Sequence, residues 1–446
     1  MEPRTGKSKV AIDYVGVQHL RGLCSRVVVI VPLCGMDVWL YQLKLHAPYS
    51  YSVEDSEYIY HNPSDAEVHF LLINTEKTWQ RYRKTKSSSY IYPYIKEIED
   101  FDPDVVIDDE SHRHKRAGGV GAQATWRLVE RLRKRRASDT PYVLLLSGTP
   151  NPKGWIDLFA QFRIMDSSIF GTSKADFEEE HVVYGHGKRQ YTIIRYRHKK
   201  ELLRKIRAHS ITVTSEQAGL ANKQFWQRIP VDLPPKARQI YNEMAEDLIT
   251  KIDGGIIEAS NAGVKRMRLL QITGGFTTDG RQIHGAKLKA LKDYLSDLAY
   301  EEEQAVVYCR FLPEVQACAE VAKKLGFHTT AITGKTSRSD RTRAIVRLQA
   351  RSSEPHLLVF QVQTGSLSIE LTAAADVILY SLPDSWELYW QILMRVCGPN
   401  QTRPVRYSHI LARNTADLSV LGALRRKEDG HGEMMQTPRR FLMGLK

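Results

Sequence analysis

Residues 105–115 read VVIDDESHRHK: a short apolar run, then three acids and two histidines. The run Val105–Ile107 has the length and β-branched character of a buried strand, so the acids fall at a strand end. Three chemistries suit such a cluster: a metal site, a hydrolytic site, or a charged turn. The metal reading is the weaker, because His112 and His114 lie two apart and no further ligand cluster stands out along the chain. A nucleotide-binding sheet needs a buried strand that ends in carboxylates, one for the Mg²⁺ shell and the next for the attacking water. Asp108, Asp109 and Glu110 are the candidates, and the pattern alone leaves open which of them takes which role.

The surrounding pattern sets the fold class. VVVIVP (27–32), HFLLIN (69–74), VVID (105–108) and YVLLLS (142–147) read as buried strands, with helical patterns at 36–46, 121–136 and 154–165 between them. Strands that alternate with helices argue a parallel sheet covered on both faces. The scheme recurs in the second half. AVVYC (305–309) precedes a helix that Gly326 terminates; HTTAI, a helix at 338–350, HLLVF (356–360), DVILY (376–380), a helix at 385–396 and RYSHIL (406–411) follow. Residues 166–235 are polar, basic and irregular, Pro234 and Pro235 open a helix, and Leu288, Leu291, Leu295 and Leu298 form one stripe of a helix at 285–299. The expectation is an α/β protein of two lobes, 1–165 and 285–424, with a mainly helical, basic region at 166–284 and a frayed basic tail at 425–446.

Composition narrows the partners. The formal net charge of +13 over 446 residues favours a polyanion, most often nucleic acid. RLVERLRKRR (127–136) and RYRHKKELLRKIRAH (195–209) are the densest basic runs, and each also reads as the solvated face of a helix. The five cysteines are scattered without a CxxC, which argues against a disulfide framework or zinc site and for a reducing cytoplasm. No apolar run is long enough to span a bilayer, and the first residues lack the apolar core of a signal peptide.

Gly6-Lys7-Ser8, ahead of an apolar helix, reads as the end of a phosphate-binding loop. Backbone N–H groups at a helix N-terminus suit phosphate oxygens, the lysine reaches the β- and γ-phosphates, and the serine hydroxyl ligates Mg²⁺. A loop of this kind normally follows a strand, and that first strand has no residues here. LLLSGTPNP (144–152) is a strand ending in small hydroxyls, suited to sensing nucleotide state. Gln391 and Arg395 stand at i and i+4, which places both on one helical face.

These segments, in this order, resemble the Swi/Snf-like ATPases of helicase superfamily 2, in their compact phage and bacterial form. EPRTGKSKVAID resembles motif I; VVVIVPLCGMDVWLYQLKLHAP resembles motif Ia with its tryptophan, Trp39; LLINTE resembles the Asn-Tyr-Glu segment, with Asn74 and Glu76 kept. DESH (109–112) resembles the DExH motif II, and LSGTPNP with WIDLFAQFRIMD resembles motif III and its helix. VVYCRF, FQVQTGSLSIELTAAADVILYS and QILMRVCGPNQTRPV resemble motifs IV, V and VI.

The resemblance implies two RecA-like P-loop lobes that bind ATP and Mg²⁺ in the cleft between them and move on duplex DNA; RNA is the lesser candidate. It implies further partners among replication, repair or recombination proteins. By its residue matches, Thr5, Gly6, Lys7 and Ser8 hold the nucleotide, and Ser8 and Asp109 the Mg²⁺. Glu110 is the general base that addresses water, Asp108 caps the strand, and Gln391 and Arg395 complete catalysis. His112, Ser147, Thr149 and Gly365 couple nucleotide state to DNA grip. The departures are Arg4 and Ser368 at usual glycine places, Glu370 at a usual Asn or Asp place, Asn400 at a usual glycine place, and Gly398 at the usual second arginine. Loss of such an arginine costs about 10³-fold or more in rate. They motivate an alternative: a helicase-fold DNA-binding module impaired in hydrolysis.

Overall fold

Helix α1 (Lys7–Leu20) starts directly after Gly6, whose φ of 87° is a conformation that glycine adopts without strain. The chain continues through β1 (Arg26–Val31), α2 (Met36–His46), β2 (Tyr51–Asp55), β3 (Ile59–His61), β4 (Val68–Asn74) and the two-residue strands β5 (Tyr82–Arg83) and β6 (Tyr90–Ile91). Then come α3 (Pro93–Phe101), β7 (Val105–Asp109), a 3₁₀ turn at Ser111–His114, α4 (Val120–Arg136), β8 (Tyr142–Leu146) and α5 (Ile156–Met165). Helix α6 (Lys174–His181), β9 (Val182–Tyr184), β10 (Ile193–Tyr196) and α7 (Lys199–Ala208) complete the first of two compact units, Met1–Ser215 and Glu216–Lys446. The computed structural model describes all residues except 2–4, 81, 84–89, 137–140, 152–153, 186–192, 221–223, 248, 253–254, 259–261, 302, 351–354, 365–368 and 436–446. Arg4, Gly365 and Ser368 therefore lie outside the described residues.

The first sheet has the order β3-β2-β4-β1-β7-β8, parallel throughout except for β3. Its strands are continuous apolar runs because both faces are covered. Val27, Val29, Val31, Phe70, Leu72, Val105 and Ile107 pack with Ile12 and Val15 of α1 and with Trp39 and Leu43 of α2. The alternate positions Val28, Ile30, Leu71, Ile73 and Val106 pack with α3 and α4. Each such side chain, fully buried, stabilises the sheet by about 1.5–3 kcal/mol.

The second unit comprises β11 (Gln224–Val231), α8 (Pro235–Asp247), β12 (Ile249–Ile252), β13 (Gly255–Glu258), α9 (Ala262–Gly274), α10 (Ala286–Tyr300), β14 (Ala305–Cys309) and α11 (Leu312–Lys324). It continues with β15 (His328–Ile332), α12 (Arg338–Gln349), β16 (His356–Gln361), β17 (Asp376–Leu379), α13 (Trp386–Leu393), β18 (Val405–Ala412) and α14 (Ala416–Met435). Its sheet is all-parallel, in the order β11-β18-β17-β14-β16-β15. Each unit is thus an α/β lobe built on a mainly parallel sheet, the fold class that the alternation of strands and helices implies. Lys287 interrupts the leucine face of α10 yet is 1% exposed: its Nζ lies 2.6 Å from Asp417 Oδ2 and donates to the Tyr380 carbonyl at 3.1 Å. Asp417 also accepts from Thr273 Oγ1 and the Ala412 N–H, each at 2.9 Å, so one buried ion pair ties α9, α10, α14 and β18.

Four local readings change. The stretch read as irregular contains β11, an edge strand whose Trp226 stacks on Tyr407 at 4.4 Å and whose Gln227 Nε2 donates to Ser408 Oγ at 2.7 Å. Its pattern was hard to read because only one face is covered and Pro230 sits in it, which an edge strand tolerates. The stretch expected as a frayed tail is helical as far as Met435, and Glu428 within it is buried. Helix α13 ends at Leu393, so Arg395 is not on it: the Arg395 carbonyl accepts from the Leu371 N–H at 2.9 Å instead of continuing a helix. Asp108 does not cap β7; it is 1% exposed inside the strand, with Oδ2 3.1 Å from His114 Nε2. Residues 166–215 pack with the first unit and 216–284 with the second. Among the described residues no helix is long and apolar enough to cross a membrane.

Candidate active site

In the first unit, the motif residues collect at the carboxyl ends of parallel strands, where an open α/β sheet leaves a crevice for ligands. Asp109 ends β7. Its Oδ2 accepts from the fully buried Trp39 indole, Nε1 at 2.9 Å, and its Oδ1 accepts from the Glu110 N–H at 3.1 Å. Withdrawal from solvent and the like charge of Glu110 push the Asp109 carboxyl up to about 6, while the Trp39 bond and the charge of Lys7 pull it down. Lys7, in the first turn of α1, is thus within electrostatic reach of the acid at the end of β7.

Glu110 has φ 59° and ψ 45°, a left-handed conformation that costs a non-glycine residue about 1–2 kcal/mol. That residue follows β7 and leads into the 3₁₀ turn at Ser111–His114. Glu110 Oε2 lies 3.2 Å from His112 Nδ1, and the same nitrogen is 3.0 Å from Ser147 Oγ, just past β8. Ser147 Oγ accepts from the Thr149 N–H at 3.1 Å. His112, Ser147 and Thr149 are all buried. One imidazole nitrogen thus hydrogen-bonds the hydroxyl turn after the next strand and lies at ion-pair distance from the acid that would face water.

Sequence reading missed Gln161 of α5. Its Oε1 accepts from Ser111 Oγ at 2.9 Å, and its Nε2 donates to the Pro150 carbonyl at 2.6 Å and the Asp157 carbonyl at 2.9 Å. A buried amide at 3% exposure thus joins the turn after β7 to the turn after β8. A glutamine among the apolar Leu158, Phe159, Ala160, Phe162 and Ile164 of α5 was the signal, shared with the buried Asp157 and Arg163. The Asn-Thr-Glu segment is tied in the same way: Asn74 Oδ1 accepts from the Glu76 N–H at 2.7 Å, and Glu76 pairs with Arg113.

Ser8 sits half-buried in the first turn of α1, Thr5 and Gly6 precede it, and the N-cap position is Gly6, which has no side chain to cap the helix. A helix N-terminus with glycine at the N-cap lets phosphate oxygens approach its backbone N–H groups. Among the described residues no cluster of three or more His, Cys, Asp or Glu could cage a metal. One carboxylate and one hydroxyl instead fit Mg²⁺, which keeps waters and is held largely through substrate phosphates.

In the second unit Gln391 is buried on α13 and Arg395 is half-buried beyond it. Two departures from the motif pattern prove to be partners: Asn400 Nδ2 donates to Glu370 Oε1 at 2.9 Å, and Thr372 Oγ1 donates to the same oxygen at 3.0 Å. Gly398 has φ 152°, where a side chain such as the expected arginine would be strained.

The two basic runs differ. Arg133 donates to the Met165 carbonyl at 2.7 Å, Arg135 donates to the Glu99 carbonyl at 2.7 Å, and Arg136 pairs with Asp102 and Asp104. Much of the α4 run is used inside the fold. Helix α7 buries Leu202 and Ile206 and turns Lys200, Arg204 and Arg207 to solvent.

Residues 286–397 match the helicase conserved C-terminal domain. The chain is 23% identical over 341 residues to protein p41 of the Acyrthosiphon pisum secondary endosymbiont phage 1, covering 71% of this chain and 68% of that protein. It is 21% identical over 339 residues to an ISWI chromatin-remodeling complex ATPase of Saccharomyces cerevisiae, covering 71% of this chain and 28% of that protein. The chain thus spans less than a third of that yeast relative. The SWI2/SNF2 ATPase core of Sulfolobus solfataricus, solved in complex with dsDNA, aligns over 97% of this chain and 87% of that one at 17% identity and a TM-score of 0.37. The resemblance read from the motifs holds: the chain is similar to Swi/Snf-like, helicase-type ATPases.

Proposed function

We propose that this chain hydrolyses ATP with Mg²⁺ and uses the turnover to move on double-stranded DNA. The observation that supports the reading best is the linked array Glu110–His112–Ser147–Thr149 beside Asp109 at the strand ends of the first lobe. Thr5, Gly6 and Lys7 would hold the phosphates, and Ser8 and Asp109 would hold the Mg²⁺, whose chemistry is to neutralise charge on the phosphate oxygens. Glu110 would orient the attacking water and accept its proton. His112 sits between Glu110 and Ser147, so a change at Glu110 reaches the Thr149 turn through two contacts. For Gln391 and Arg395 the reading rests on the order of the motifs. The DNA partner rests on the same resemblance and on the net charge of +13.

The test is steady-state ATP hydrolysis with and without duplex DNA. The expected result is DNA-stimulated turnover that Glu110→Gln lowers by about 10²–10⁴-fold. Salt-sensitive DNA binding with no turnover in the wild-type chain would replace the motor with a grip module.

A further inference from the structure

We infer that Trp39 is a positioning residue that orients the Asp109 carboxylate for a divalent cation and locks it to the helix bearing Lys7 and Ser8. The inference rests on the proposed nucleotide site and goes beyond it by assigning a task to a residue that would not itself touch substrate or metal. A buried indole N–H needs an acceptor, and a backbone carbonyl would serve. Here the acceptor is instead the carboxylate at the end of β7, at 2.9 Å. The second oxygen takes the Glu110 N–H at 3.1 Å, so each oxygen has one donor and the carboxylate plane is held at two points.

The donor's neutrality matters. An arginine or lysine in this place would orient the acid and also cancel its charge. An indole orients it and leaves the full negative charge for a cation. A carboxylate has about four lone-pair sites, so two N–H donors leave room for a metal. The indole's body does the rest: it is fully buried in the apolar cluster that contains Ala11, Ile12 and Val15 of α1. Trp39 thus joins the acid at the end of β7 to the apolar cluster that seats α1, the helix of Ser8. Partners one shell out from a metal are typically worth 10–100-fold in metal affinity.

The experiment measures Mn²⁺ binding to the full chain with ADP, by electron paramagnetic resonance, for wild type, Trp39→Phe and Asp109→Asn. Phenylalanine keeps the buried ring and removes the donor. The expected result is a Mn²⁺ affinity lowered about 10-fold or more in Trp39→Phe, with ADP affinity in the absence of metal unchanged, and loss of the site in Asp109→Asn. If Trp39→Phe binds Mn²⁺ as wild type does while Asp109→Asn does not, the inference is overturned and the nucleotide site stands. If Asp109→Asn binds like wild type, the site assignment fails and takes the inference with it. If Trp39→Phe does not fold, ¹⁵N-indole spectra of the wild-type chain decide. Among the seven tryptophans, one indole N–H signal should be broadened away by Mn²⁺–ADP at substoichiometric metal. No broadened indole would overturn the inference.

Discussion

Gln161→Leu is the substitution that probes the site's construction most directly. The leucine keeps the volume of the side chain and removes three hydrogen bonds. Ser111 Oγ loses its acceptor and the Pro150 carbonyl loses its donor. A buried polar group left without a partner costs about 1–3 kcal/mol, so the expected loss is about 2–5 kcal/mol, concentrated in the turns after β7 and β8. Ser111→Ala removes only the first bond and leaves Gln161 Oε1 unmet, for about 1–2 kcal/mol. In the double variant the Ser111–Gln161 bond is counted once, which makes the two changes non-additive by about 1–2 kcal/mol. Hydrogen exchange on peptides spanning β8 and α5 measures this, since it reads local opening without requiring the two units to unfold together. Changes that add within about 0.5 kcal/mol would show that Gln161 does not join the turns.

Burial holds His409 down at about 3, with Arg228 and Arg425 lowering it further, so the unfolded chain binds the proton that the native lobe refuses. Stability is therefore fully present above about pH 6.5 and falls as pH drops toward 3, by about 2 kcal/mol at pH 5; His409→Phe should flatten that slope in urea unfolding of the second lobe, and an unchanged slope would count against the assignment. Lys287→Met should cost about 3–5 kcal/mol by stranding the Asp417 carboxylate, and Lys287→Met with Asp417→Leu should recover part of it; thermal unfolding reads both, and equal loss in single and double variants would refute the pairing. Gly121→Ala would put a Cβ 2.4 Å from the Trp79 ring, so the overpacking should cost about 1–3 kcal/mol and perturb the His114 ring beside Trp79; a neutral effect would mean that the ring moves freely.

Much of the fold was legible because the strands are covered on both faces. Runs such as Val27–Val31 and Ala305–Cys309 have no polar alternation to confuse them, and their ends fall within a residue of the expectation. Strand β11 was not legible, because an edge strand with a proline and one covered face has neither a continuous run nor clean alternation. The end of α13 escaped for another reason: nothing local to Arg395 announces that its carbonyl pairs with Leu371, a residue distant in sequence.

The site divides along the same line. The order and identity of Lys7, Ser8, Asp109, Glu110, Ser147 and Thr149 are properties of the linear chain, because a strand end and a helix start are local events with local signatures. That Trp39 donates to Asp109 and that one imidazole is shared by Glu110 and Ser147 depends on which strands lie side by side. So does the pairing of the two departures Glu370 and Asn400. Those contacts join segments dozens of residues apart, and their side-chain directions are set only when the helices pack on the sheet. The sequence by itself determined which chemical groups the chain carries and in what order. The packing decided which groups touch, because a hydrogen bond needs its partners within about 3 Å and only the folded sheet brings them that close.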